Sequence, residues 1–176
     1  TAEALAKLHP FARVPILELD GFEIFETSAI TRYLAQIYPD AGLVPPKAKA
    51  AGRMQQVMSI VDNYVYWPLV RQVFSHAVFR PAFGENSDQS EIAAGLERAR
   101  DVLVAFEEIC VDGLVLNTRG TTLADMHLAP MIGYFAQAPE GNTMLVEFPA
   151  LSDWFNWVKK RASYKQSEPV FPHPLS

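Results

Sequence analysis

Two short stretches carry the residue types best suited to gripping a small acidic ligand. Glu26-Thr27-Ser28 sets a carboxylate and two hydroxyls where a helix begins, and hydroxyls beside the free amides of a helix start make a seat for a carboxylate. Glu26 and Thr27 also read as a helix cap, and spacing alone favours that reading. Arg13-Val14-Pro15 is the second stretch. A proline opening a strand donates nothing to the ladder and leaves a neighbouring backbone group for an external ligand. Pro15 also reads simply as the first residue of an edge strand. Arg13 could pair its guanidinium with a carboxylate, or stand as an ordinary surface arginine.

Other chemistries find little support. Cys110 falls on the apolar face of a helical pattern, where a free cysteine is usually inert packing. There is no C-x-x-C pair for dithiol redox work. His9, His76, His127 and His173 are scattered, without the spacing of paired metal ligands, so no metal site is expected. A nucleophile elbow and a glycine-rich phosphate loop are both missing.

The elements that position the two stretches follow from local patterning. An apolar run from Val14 to Leu19 stops at Asp20-Gly21, a turn signal between strands, and Phe22 to Phe25 reads as its hairpin partner. Ile30, Tyr33, Leu34, Ile37 and Tyr38 then recur at the spacing of an amphipathic helix. Residues 1–9 read as a short helix ended by Pro10. Pro39 to Pro46 carries turn formers and reads as a linker.

Beyond the linker the pattern is helical throughout. Residues 47–79 carry Met54, Val57, Met58, Val61, Tyr64 and Val65 on a stripe interrupted at Pro68. A loop follows over 80–87. Residues 88–111 repeat the stripe at Ile92, Leu96, Ala99, Leu103, Phe106 and Cys110, and Asp112-Gly113 closes that helix as a C-cap. Thr122 and Asp125 form an acidic variant of the capping box for a helix through Leu128, Ile132 and Phe135, with a kink at Pro130. Thr121 makes a weak hydrophobic staple. Pro139-Glu140-Gly141-Asn142 reads as a breaker. A last helix carries Leu151, Trp154, Phe155 and Val158, and residues 165–176 read as an extended tail.

Composition sets outer bounds. The 176 residues suffice for one or two small domains, and 49% hydrophobic content supports a packed core. A net charge of -5, with no basic stripe, argues against nucleic acid as the main partner. No apolar run approaches the roughly 18 residues of a membrane helix. One cysteine and no basic-then-apolar leader fit a reducing, cytoplasmic setting.

The order V-P-x-L, then D-G, then F-E-T-S-A-I-x-x-Y-L resembles the glutathione-binding half of the cytosolic glutathione transferases. T-L-A-D at 122–125 resembles the folding motif of that family's helical domain. The resemblance turns the reading of Glu26 and Thr27 from a cap toward a ligand seat. It implies that Pro15 is cis and that Val14 offers backbone hydrogen bonds to the cysteine part of glutathione. Glu26 and Thr27 would grip the γ-glutamyl part, and Arg13 would touch the tripeptide. Thr27 keeps the hydroxyl where the family usually has serine, and His9 stands where it often has asparagine before the proline.

The implied architecture is α/β plus all-α. A partial thioredoxin-like glutathione-binding domain spans 1–38, a linker 39–46, and an all-helical domain 47–176. In the family, the long helix after the linker lines the pocket for the electrophilic co-substrate, which points to Tyr64, Tyr66 and Trp67. Aromatics at helical spacing are otherwise core. Asp62 on the same helix would reach the γ-glutamyl amine of a partner subunit, and Asp125 serves folding. The expected partners are glutathione as co-substrate, a small hydrophobic electrophile, and a second copy in a homodimer through 47–79. The family's thiol-activating residue sits in a strand-helix-strand unit upstream of Thr1, so a longer polypeptide or a natural truncation is expected. The alternative is a non-catalytic binding or interaction module.

Overall fold

A computed structural model describes Leu5 and residues 8–168, and the chain divides into a unit ending at Val44 and one beginning at Pro45. The expected helix over 1–9 lies largely outside the described residues, as does the tail beyond 168.

The first unit is built on a hairpin. Strands β1 (Ile16–Leu19) and β2 (Phe22–Phe25) pair antiparallel, from Leu19 opposite Phe22 to Ile16 opposite Phe25. Asp20 and Gly21 both take left-handed backbone, with φ 52° and 78°. That is the type I′ turn whose twist matches two-residue hairpins. The Gly21 N–H donates to Glu18 Oε1 at 2.9 Å. Helix α1 (Thr27–Ile37) follows, with Ile30 and Ala35 buried and the Tyr33 ring 5.3 Å from that of Phe22. Ile37 and Tyr38 extend the apolar spacing in sequence but are exposed.

The second unit begins with a helix whose winding changes along its length. It is α-helical in α2 (Ala48–Ile60), pairs i→i+5 over Val61–Phe79, and ends in the α turn α3 (Arg80–Ala82). The wide winding takes more residues per turn than 3.6. Residues four apart therefore stack, and Val61, Val65, Leu69 and Val73 are all buried. Tyr64 belongs to the sequence stripe but points to solvent at 65% exposure.

Helix α4 (Gln89–Asp112) packs against this long helix at Gly95. A β-carbon there would lie 2.7 Å from Gln72 Cβ and 3.0 Å from the Pro68 carbonyl, so the approach requires glycine. Asp88 caps α4 by accepting from the Ser90 N–H at 2.8 Å, and Gly113 ends it at φ 68°. Helix α5 (Leu123–Phe135) follows with Leu123, Leu128, Ile132 and Phe135 fully buried. The remaining helices are α6 (Pro139–Leu145), α7 (Pro149–Lys159) and α8 (Ala162–Ser167).

Three local readings change. Residues 80–82 stay helical, so the loop begins at Phe83. The breaker at 139–142 is the start of α6: Pro139 takes the first turn, where its missing N–H costs nothing. Gly141 lies where a β-carbon would strike the Phe135 carbonyl, so it is there for close packing rather than to break a helix. Residues 165–167 belong to α8 rather than to an extended tail.

Candidate functional site

The hairpin register brings the two candidate stretches together. Ile16 and Phe25 are the last pair of the ladder, so Pro15 and Glu26 are the residues immediately beyond it on either strand. Paired α-carbons lie about 4.5–5.5 Å apart and successive ones about 3.8 Å. Arg13, Val14, Pro15, Glu26 and Thr27 therefore cluster at one end of the hairpin, and all five are exposed. The Val14–Pro15 bond is cis. No hydrogen bond among the described residues engages the Val14 amide or carbonyl.

The start of α1 is left open. Glu26 precedes it with φ 72° and ψ 123°, a conformation that non-glycine residues adopt at a cost of about 1–3 kcal/mol. Glu26 holds the N-cap position, but its side chain makes no cap hydrogen bond. The carbonyl of Glu26 accepts the Ile30 N–H at 2.9 Å, while the amides ahead of Ile30 precede the helical ladder. Free N–H groups and the positive end of the helix favour an anion there.

The loop carrying Arg13-Val14-Pro15 is fixed from His9. The His9 carbonyl accepts from the Ala12 N–H at 2.9 Å, and His9 Nδ1 accepts from the Phe11 N–H at 3.1 Å. The imidazole also lies 4.4 Å from the Phe25 ring. The sequence marks His9 only as the residue standing where the family often has asparagine; its contact with Phe25, sixteen positions away, appears only in the fold.

In the second unit, Tyr64 and Trp67 face a groove of about 470 Å³. Ile60, Asn63, Tyr64 and Trp67 form one rib of it, and Arg98, Asp101, Val102 and Ala105 on α4 form the other. Each rib is an i, i+3, i+4, i+7 face. Tyr66, 48% exposed, does not line this groove. A second apolar surface escaped the periodicity reading. The Phe79 and Phe83 rings stack 4.7 Å apart at the end of the long helix, and Phe83 is 51% exposed. Pro81 and Gly84 beside them read as loop signals, which hid the rings.

Cys110 is held as a neutral thiol. Burial first, then Glu107 and Asp125, push its pKa up to about 12. Asp125 is buried and satisfied: Oδ2 accepts from the Thr122 N–H and hydroxyl, and Oδ1 accepts from Trp154 Nε1 at 2.7 Å. Burial raises its carboxyl above the usual range, against the lowering pull of those bonds. At the staple position, Met126 is 46% exposed, so Thr121 has little to pack on.

Two family descriptions match the chain. Residues 1–36 match the glutathione S-transferase N-terminal domain, and residues 66–162 match the glutathione S-transferase C-terminal domain. The chain belongs to the glutathione S-transferase family. Glutathione S-transferase F14 of Arabidopsis thaliana is 29% identical over 168 residues, covering 93% of this chain and 66% of that protein. A glutathione S-transferase of Hyoscyamus muticus is 28% identical over 167 residues, covering 94% of this chain and 78% of its own length. The chain thus spans from just under two thirds to about four fifths of these relatives. Among solved structures, glutathione S-transferase III in apo form superposes with a TM-score of 0.81 at 22% identity, over 98% of this chain and 79% of that one. Glutathione S-transferase I bound with lactoylglutathione gives 0.76 at 20% identity, over 92% and 76%. These likenesses establish a thioredoxin-like segment followed by a helical domain.

Proposed function

We propose that this transferase-family chain binds glutathione at the open end of the hairpin and serves its conjugation to a hydrophobic electrophile. The observation that supports this most is the juxtaposition of Val14-Pro15 with the uncapped start of α1 at Glu26-Thr27. In this reading the backbone of Val14 receives the cysteine part of the tripeptide. Glu26 meets the γ-glutamyl ammonium, while Thr27 and the α1 amides meet its carboxylate. Arg13 faces the remaining carboxylate.

Conjugation requires the glutathione thiolate, which attacks the electrophilic carbon. Residues 13–27 bind and orient the tripeptide, and the group that lowers its thiol pKa lies outside them. Cys110, held protonated, is not that group. The groove at Tyr64 and Trp67 offers the electrophile one apolar surface, and the Phe79–Phe83 stack offers a second. Pairing of two copies through the segment 47–79, with Asp62 toward the partner's glutathione, and a cytoplasmic location complete the proposal. Among the described residues, no helix is long and apolar enough to cross a membrane.

Calorimetry with reduced glutathione tests the seat. Binding by the chain, and its loss in Glu26→Gln, is expected; an unchanged isotherm in that variant would remove Glu26 from the reading. Conjugation of a chlorinated nitrobenzene then separates an enzyme from a binding module. In active protein, Trp67→Ala and Phe83→Ala show which ring surface the electrophile uses, through the one that raises its KM.

A further inference from the structure

We propose that His9 is a positioning residue of the glutathione seat, acting through Nδ1 rather than through its bulk. The inference rests on the binding reading above and assigns what holds its two halves in register.

His9 is the one buried residue between positions 8 and 29, at 2% exposure. A buried polar side chain among apolar rings persists only with its hydrogen-bonding satisfied. Here the turn itself supplies the partner of Nδ1. Two successive N–H groups, of Phe11 and Ala12, end on His9: the first on Nδ1, the second on the carbonyl. A side-chain acceptor for the amide two residues on is the geometry of an Asx turn, achieved here by an imidazole. It holds Ala12 at φ 51°, a left-handed conformation that alanine seldom adopts, and so sets the direction in which Arg13-Val14-Pro15 leaves the turn.

The same ring reaches the other half of the seat. Its face lies 4.4 Å from Phe25, which pairs with Ile16 and precedes Glu26. Phe11 closes on it edge-on at 5.7 Å. One side chain thus touches the turn that leads to Val14 and the residue that leads to Glu26. An aliphatic residue would fill the space but leave the Phe11 N–H without its acceptor.

Two variants separate the acceptor from the bulk. His9→Phe keeps a ring and deletes the acceptor; His9→Asn keeps an acceptor for the i+2 amide and deletes the ring. We expect His9→Phe to weaken glutathione binding about three- to tenfold by calorimetry, the range of one lost hydrogen bond. His9→Asn should stay within about twofold of the parent. Amide exchange at Phe11 and Ala12 should accelerate in His9→Phe and not in His9→Asn, whether or not ligand is present. Equal losses in both variants, tracking their unfolding midpoints, would reduce His9 to a packing residue and overturn the proposal. Unchanged binding in His9→Phe would do the same. A parent chain that keeps both amides protected yet takes up no glutathione would strike down the binding reading itself.

Discussion

The molecule begins its helices in two opposite ways. In the second unit the starts of α4, α5 and α7 are closed by the protein's own side chains, while α2, α6 and α8 begin without such a cap. Thr122 and Asp125 cap α5 reciprocally. Glu107, from the last two turns of α4, accepts the Ala150 and Leu151 N–H groups at 3.0 and 2.8 Å and so caps α7 from 43 and 44 positions away. In the first unit, α1 starts at a residue in strained backbone with no side chain on its amides. A closed start contributes stability, whereas an open, strained start is available to something else. What sets α1 apart from the other uncapped starts is the strained backbone of Glu26, and that strain supports the seat proposed for the end of the hairpin.

The contrast can be broken at several strengths. Trp154→Ala should cost the most, about 3–5 kcal/mol in denaturant unfolding, because it empties a buried site and strips Asp125 Oδ1 of its donor. A loss under about 1 kcal/mol would mean that the closed starts are not supporting the core. Asp125→Ala should cost about 2–4 kcal/mol, from the lost cap together with a stranded indole N–H. At the open start the balance inverts. Glu26→Gly relieves the positive φ and should leave stability level or raise it by up to about 1 kcal/mol, while retention on immobilised glutathione collapses. A variant that is both destabilised and still retained would erase the distinction.

Two smaller effects sharpen the picture of the closed unit. Burial lowers the pKa of His127, with Asp62 opposing. A base with depressed folded pKa takes up its proton more readily when unfolded. Its contribution is therefore complete above the unfolded value of about 6.5 and is lost as pH falls through that value toward the folded pKa. Unfolding free energy should slope downward from pH 7 to 5, and His127→Gln should flatten the slope. Smallest of all, Cys110 should react with iodoacetamide far more slowly at pH 7.5 than free cysteine, as mass spectrometry can follow; labelling at the free rate would contradict its burial.

What was legible in the sequence was local. Asp20-Gly21 announced the hairpin, Gly113 the end of α4, and Thr122 with Asp125 the start of α5. Each works through backbone within four residues of itself. The family motifs placed Val14-Pro15 and Glu26-Thr27 side by side before the register did. What escaped depends on contacts distant in the chain. Gly141 looks like a breaker until the Phe135 carbonyl beneath it is known. Glu107 is one more surface acid until α7 arrives. Tyr64 kept the period of a buried stripe, yet the winding of its helix turned it outward. His9 stands out in the sequence only against the family's asparagine; that Phe25 closes on it from β2 is visible only in the fold.

Glu107 belongs to α4 and holds the first amides of α7; Trp154 belongs to α7 and holds the carboxylate that starts α5. Three helices are thereby linked in relay, each supplying what the next lacks. None of the later two can fray at its beginning without first releasing a neighbour. Their earliest amides should consequently exchange with solvent at a common rate, that of the whole bundle opening at once, instead of the faster, separate rates of loose helix ends.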